Sequence, residues 1–228
     1  MNLLEDLLLD YSKKSISILD AEISITSYCA LDLSISNDFL TTVAITDPKE
    51  CQEYIDKVLT LNKAEVAYGG YLERRNLYAD KSNFSKEHSV VRNIHLGIDY
   101  WANAGTKVLV PIEGKVHSFK NNSTVGDYGP TIILEHILNK VSFYTLYGHL
   151  SLDSIKNLKT GQVFKRGTCI GALGTPDINV NYAPHLHFQV IKSIQEYMGD
   201  YPGVCSAQDL EFFKDNCPNP NLLLKIGV

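Results

Sequence analysis

Most of the features that would assign a chain of 228 residues to a class by composition are missing here. The five cysteines, Cys29, Cys51, Cys169, Cys205 and Cys217, include no CxxC pair, which argues against a zinc ribbon or a dithiol redox motif. An odd, scattered set reads as reduced thiols; Cys205 and Cys217 flank a short segment and would pair only if the protein were exported, since disulfides follow compartment. No apolar run approaches the ~20 residues of a membrane span. The start, Met1-Asn2-Leu3-Leu4-Glu5-Asp6, is acidic where a secretory leader needs a basic region, and Leu7-Leu8-Leu9 meets Asp10 at once. The expected location is therefore cytoplasmic, with export by another route left open. Lysine and arginine number 21 against 26 aspartates and glutamates, a formal charge of −5. With no clustered basic stripe, neither nucleic acid nor an anionic membrane is an expected partner. Internal repeats and low-complexity tracts are absent too, and nothing fixes an oligomeric state.

What is present permits a real core, because 44% of the residues are hydrophobic. Residues 14–46 carry alternating and β-branched runs, among them Glu22-Ile23-Ser24-Ile25-Thr26 and Leu40-Thr41-Thr42-Val43-Ala44-Ile45, which predict several short strands. Asp47-Pro48 predicts a helix to Leu61, with Asp47 as its N-cap and Cys51, Tyr54, Ile55, Val58 and Leu59 as its apolar stripe. From Tyr68 to Ser89 the chain is polar and aromatic and reads as a long loop. Residues 95–192 are short strands punctuated by glycine turns, the pattern of an antiparallel sandwich or barrel. The last residues hold a candidate helix at 207–214. The expected class is α+β, mainly antiparallel β. Residues 1–89 form an N-terminal β/α extension with a cleft-forming loop, 90–192 the core, and 193–228 a short helical tail packing on it.

The histidines carry the chemistry. Read as a strand, His185-Leu186-His187-Phe188-Gln189-Val190 sends two imidazoles to one face and Leu186, Phe188 and Val190 to the other. His95-Leu96-Gly97-Ile98-Asp99 repeats the device with a histidine and a carboxylate four apart, again on one strand face, and His149 closes Tyr147-Gly148-His149. Two imidazoles on one face of an otherwise apolar strand are awkward to bury without partners. Well-separated His and carboxylate clusters on extended segments suit a zinc site with N and O ligands. His88, His117 and His136 read as ordinary strand or loop histidines. Residues 158–171, with Gly-spaced turns, share a pattern with lipoyl and biotinyl carrier domains, but the hairpin lysine motif of such carriers is absent, and glycines supplying turn dihedrals account for the segment.

Taken in order, His95-Leu96-Gly97-Ile98-Asp99, Ala104-Gly105-Thr106, Gly114-Lys115-Val116, Tyr147-Gly148-His149-Leu150, Gly161-Gln162-Val163 with Lys165-Arg166-Gly167, and Ala183-Pro184-His185-Leu186-His187-Phe188 resemble the M23 family of zinc metallopeptidases. That family includes lysostaphin-type and LytM-type endopeptidases of peptidoglycan. The flanks, Gly69 to Asn76 and Gly199 to Cys205, are similar to an M23 module found beside kinase-like and class-III aminotransferase domains, here expected to stand alone. The resemblance implies an M23-type β-sandwich core over about 90–192 and one Zn2+ per chain held by His95, Asp99 and His187. It implies that His149 and His185 are the unliganded catalytic histidines. Three protein ligands leave the fourth position of a catalytic zinc open. The implied activity is hydrolysis of peptide bonds, with a peptide or muropeptide as substrate. Many family members place a tyrosine shortly before HxxxD, and here Glu87 to Ile94 contain none; Tyr147, Tyr144 or Tyr78 are the stand-ins considered. Arg74 and Arg75 are candidates for holding a substrate carboxylate bidentately, with Tyr147 as a further substrate contact. The alternative is a non-catalytic binding or regulatory module of the M23 type, whose mark would be loss of a site residue; all five positions are intact.

Overall fold

A computed structural model describes residues 3–77 and 90–227. Its first half contains helix α1 (Leu3–Tyr11), strand β1 (Tyr28–Ala30), helix α2 (Pro48–Asn62) and strand β2 (Val66–Gly69). Strands β3 (Arg92–His95), β4 (Ile98–Trp101), β5 (Lys107–Leu109), β6 (Gly114–Asn122), β7 (Gly129–Leu138) and β8 (Val141–Gly148) follow. A short helix α3 (Asp153–Lys156) then leads to β9 (Val163–Phe164), β10 (Cys169–Ala172), β11 (His185–Ile191) and β12 (Val204–Ser206), with helices α4 (Leu210–Asn216) and α5 (Asn221–Leu224) at the end. Eight strands make one sheet in the order β1-β2-β4-β11-β8-β7-β6-β9. Every neighbouring pair in it is antiparallel except β1 and β2, so the fold is mainly antiparallel β with a few helices. β5 pairs with β10, and β3 with β12, in two small sheets of their own.

Alternation decides what each face of the large sheet does. Leu186, Phe188 and Val190 on β11, Ile98 and Tyr100 on β4, and Ile132 and Leu134 on β7 share the main core with Val108 and Ile170 of the small β5–β10 sheet. Leu4 and Leu8 of α1 and Leu223 and Leu224 of α5 belong to the same cluster. The two ends of the chain are tied beside it, Ile16 N–H donating to the Leu224 carbonyl at 2.8 Å. The odd-numbered residues of β11 therefore face the opposite side, where Leu146, Ile133 and Ile191 meet Ile94, Leu96 and Tyr201. β1 and β2 extend the edge of the large sheet itself, β2 lying beside β4.

Helix α2 forms where the sequence predicts it: the Asp47 carboxylate accepts from the backbone of Lys49 (2.9 Å) and Glu50 (3.0 Å), and Cys51 and Ile55 are buried. The strands predicted over 14–46 mostly do not form. Only β1 does, with single bridges at Leu19 and Ser34; residues 25–27 and 38–42 are 3-10 turns. Their short polar side chains bond the nearby backbone instead. Asp32 accepts from Ser34 N–H at 2.8 Å, Asn37 from Phe39 N–H at 3.1 Å, and Thr41 donates to the Asp38 carbonyl at 2.7 Å. Such local bonds compete directly with ladder pairing. Helix α1, which sequence reading did not anticipate, buries Leu4 and Leu8 one turn apart. Cys205 and Cys217 are buried free thiols.

His136, read as an ordinary strand histidine, is buried with Nδ1 at 2.8 Å from the Glu113 carbonyl and Nε2 at 2.7 Å from Thr145 Oγ1. Burial pushes its pKa down from 6.5 to about 4, against the opposing pull of the Glu113 carbonyl and the Glu135 carboxylate. Between those two values the unfolded chain binds a proton that the folded chain does not, so stability is full above 6.5 and declines as pH falls toward 4. Urea midpoints measured from pH 7 to pH 4 are expected to fall more steeply for the parent chain than for His136→Gln. Parallel curves would show that another group carries the acid sensitivity.

Candidate functional site

On the face of the sheet away from the main core, pairing register brings chemistry together. His187 on β11 lies opposite Asp99 on β4, and His185 opposite Trp101, whose indole stacks on the imidazole at 4.1 Å between centroids. His95 reaches the same point by a different route from the one its spacing predicts. β3 ends at His95, the chain bends at Leu96-Gly97, and β4 starts at Ile98, so His95 and Asp99 sit in different sheets rather than on one strand face. Gly97 is required by close approach: a Cβ there would stand 2.7 Å from both His187 Cε1 and the Phe188 carbonyl. His149 follows the end of β8 with φ at +62°, a left-handed conformation uncommon outside glycine. In a continuing strand it would share the core-facing side with Tyr147; the turn instead swings it into the site. Its N–H donates to the Tyr128 carbonyl (2.8 Å) and its own carbonyl accepts from Gly174 (3.0 Å), which holds the strained residue in place.

Three donor atoms converge. His95 Nε2 and His187 Nδ1 approach to 2.8 Å, and Asp99 Oδ1 lies 3.2 Å from the first and 3.1 Å from the second. The other nitrogen of each ring is committed. His95 Nδ1 faces the Gly70 carbonyl at 2.9 Å, a contact only an N–H satisfies. His187 Nε2 faces Gln189 Oε1 at 3.0 Å, and that amide is oriented by its own donation to the Pro202 carbonyl and Cys217 Sγ, each at 3.2 Å. Both inward nitrogens are consequently lone pairs, which at 2.8 Å repel unless a cation lies between them. A tetrahedral ion with bonds of ~2.0–2.1 Å spaces its donors about 3.3 Å apart, close to this triangle. Among the described residues, His95, Asp99 and His187 form a group able to hold a metal ion.

Two further imidazoles stand beside the triangle. The rings of His149 and His185 are 4.1 Å apart, and Tyr128 packs on His149 at 5.6 Å and on His187 at 5.1 Å. His185 Nδ1 donates to the Ala183 carbonyl at 2.8 Å, leaving Nε2 as an acceptor 4.0 Å from Asp99 Oδ1. The five side chains are each 5% exposed or less, so solvation contributes little to them. Burial pushes His95 and His185 down to about 4, and the Arg75 guanidinium adds to the effect on both. Burial also holds His149 well below its usual value, reinforced by His185 and His187 and opposed by Asp99 and by Asn179. For Asp99 burial acts in the opposite sense, yet His95 and Arg75 outweigh it and keep the carboxyl well below the usual carboxylate range. At neutral pH His95, His149 and His185 are therefore neutral imidazoles beside one carboxylate.

A cleft of about 430 Å³ opens over these groups, walled by Tyr128 and Tyr182 on one side and by Tyr197, Asp200 and Tyr201 on another. The structure brings together His95, Asp99, His149, His185 and His187. It does not bring the expected substrate contacts with them. Arg75 is 1% exposed and ion-paired with Asp99 and Glu73, so its guanidinium is already spent inside the protein. Arg74 is exposed, its backbone bridges Ile94, and it does not line the cleft. Tyr147 is fully buried on the core face against Phe188, as its odd position on β8 dictates, and its hydroxyl accepts from Thr145. Tyr144 packs on His117 instead. Tyr78 and the remainder of the 78–89 segment lie outside the described residues. The described part of that loop braces the ligands from behind, through Gly70, Glu73 and Arg75, and only Leu77 of it lines the cleft. Tyr128, Tyr182 and Gln189 were missed by sequence reasoning; the first two sit in loops without periodicity, while Gln189 was legible as the third residue on the His185–His187 face.

Residues 93–198 match the profile of Peptidase family M23. A curated relative, an uncharacterized metalloprotease of Haemophilus influenzae, is 30% identical over 132 residues, which are 57% of this chain and 25% of the relative. The chain thus spans about a quarter of the length of that relative. Among solved structures, a zinc containing peptidase from Vibrio cholerae is 30% identical, over 47% of this chain and 30% of that one, with a TM-score of 0.34. The catalytic domain of the antimicrobial peptidase lysostaphin from Staphylococcus simulans is 26% identical, over 62% of this chain and 99% of that one, with a TM-score of 0.37.

Gly97→Ala is expected to force His187 or the β11 backbone aside, at about 1–3 kcal/mol of stability, and to lower divalent-metal uptake in the protein that still folds. Thermal melts with metal analysis check it. An alanine variant that melts and loads like the parent chain would show that the contact with His187 is soft.

Proposed function

We propose that the chain is a zinc-dependent peptidase acting on peptide bonds, with peptidoglycan peptides or muropeptides as its substrate class. The observation that carries this reading is the triangle of His95 Nε2, His187 Nδ1 and Asp99 Oδ1, with every outer ring nitrogen already committed and two neutral imidazoles beside it. In this reading His95, Asp99 and His187 hold one zinc ion per chain. Three protein donors, rather than four, is the count of a catalytic and not a structural zinc. The match to Peptidase family M23 and the metalloprotease relative support it.

Zinc bound there supplies a Lewis acid that polarises a carbonyl and lowers the pKa of water toward ~7. The rest is the work of the chain. His185, fixed by the Ala183 carbonyl, presents Nε2 as a proton acceptor, and burial keeps it neutral at pH 7. As water attacks the scissile carbonyl carbon, one imidazole of the His149–His185 pair takes its proton. When the C–N bond breaks, that proton passes to the leaving amine, and the imidazole returns to its starting state. Tyr128, packed on His149 and His187, lines the cleft beside this pair.

Two sets of variants test the assignment. Asp99→Ala is expected to lose zinc, whereas His149→Ala and His185→Ala keep it and lose on the order of 10²–10⁴ in rate, read by zinc analysis and by mass spectrometry of digested muropeptides. Zinc lost stoichiometrically with His149 or His185 would overturn the three-ligand set. Full zinc content without cleavage of any muropeptide or simple peptide would make the chain a binding module.

A further inference from the structure

Asp99 has two oxygens, and the structure divides them. Oδ1 faces the two ligand nitrogens, while Oδ2 accepts from Arg75 Nη1. Arg75 is itself fixed: its Nε donates to Glu73 Oε2 at 2.5 Å, and its backbone N–H donates to the Asn93 carbonyl at 2.9 Å. Glu73 is anchored in turn, with Oε1 accepting from Leu33 N–H at 3.1 Å. There is no slack around the guanidinium, since a Cβ on Gly70 would fall 1.8 Å from Arg75 Nη2. A wholly buried arginine between two carboxylates is costly to desolvate and offers weak evidence of stabilisation. Its geometry points to a different use.

We propose that Arg75 is a positioning residue that sets how Asp99 binds the metal, holding Oδ2 away so that the carboxylate ligates through Oδ1 alone and the metal keeps a low coordination number with room for water. This rests on the zinc reading above. A carboxylate free to swing offers both oxygens to the ion, and the second oxygen takes the place a catalytic site leaves for water. The planar fork of arginine suits the task, because it grips Asp99 and Glu73 at fixed angles where lysine is a point charge on a flexible stem. Groups that orient metal ligands typically matter by 10–100-fold in metal affinity.

The test uses the whole chain loaded with Co2+, whose visible absorption weakens as coordination rises above four, together with zinc affinity by chelator competition. Arg75→Met is expected to give weaker cobalt bands and zinc binding about 10–100-fold looser. Glu73→Gln, which keeps the acceptor but loosens the anchor, is expected to shift both in the same direction by less, and it carries the test if Arg75→Met does not fold. Unchanged cobalt bands in a folded variant would overturn the proposal, whatever its melting temperature, because a merely structural role moves the melt and not the spectrum. If the parent chain binds neither zinc nor cobalt, the zinc reading itself falls; if it binds both and the variants match it, only the role of Arg75 falls.

Discussion

Six ionisable side chains, five of them basic, lie buried around one point of the fold, and the arrangement is tenable because a single carboxylate, Asp99, stands among them. His95, His187 and Arg75 contact it directly and His185 Nε2 lies 4.0 Å away. Removing charges from water is expensive, and the cost is offset only where opposite charges and directed hydrogen bonds replace the solvent. Much of the surrounding architecture follows from that requirement. The bend at Leu96-Gly97 brings His95 across from one sheet to meet the carboxylate on another, and the β4–β11 register sets His187 opposite it.

A second layer of groups decides which nitrogen of each ring faces inward. Backbone carbonyls of Gly70 and Ala183 and the amide of Gln189 take the outer N–H groups of His95, His185 and His187. With the tautomers settled in this way, the inner atoms are lone pairs in a buried site, the state a divalent cation selects. Cys217 enters the same network as an acceptor from Gln189, which links the C-terminal segment to a ring of the site through one amide.

Legibility followed periodicity. Strand β11 formed where the alternation of His185 to Val190 places it, and β7 and β8 fall within the run of short strands read over 95–192. The same rule would have excluded Tyr147 from the site, since its odd position on β8 puts it with Phe143 in the main core. Residues 14–46 misled because alternation there coexists with Asp, Asn, Ser and Thr at turn-forming positions, and local bonds won. Arg75 misled in another way: a polar loop suggested an exposed cation, and only folding revealed two carboxylates waiting for it.

From the sequence came the α+β class, helix α2 and the HxH strand, written in short-range spacing and side-chain chemistry, and the set His95, Asp99, His149, His185 and His187, which the resemblance to the M23 family gathered together. What the tertiary structure decided was how these meet: that His95 and Asp99 belong to different sheets, that a left-handed turn delivers His149, that Tyr128 and Tyr182 wall the cleft, and that Arg75 serves the carboxylate and not the solvent. The physical reason is range. Alternation and capping act over a few residues, whereas the pairing of a buried charge depends on segments that only chain folding brings within 3 Å.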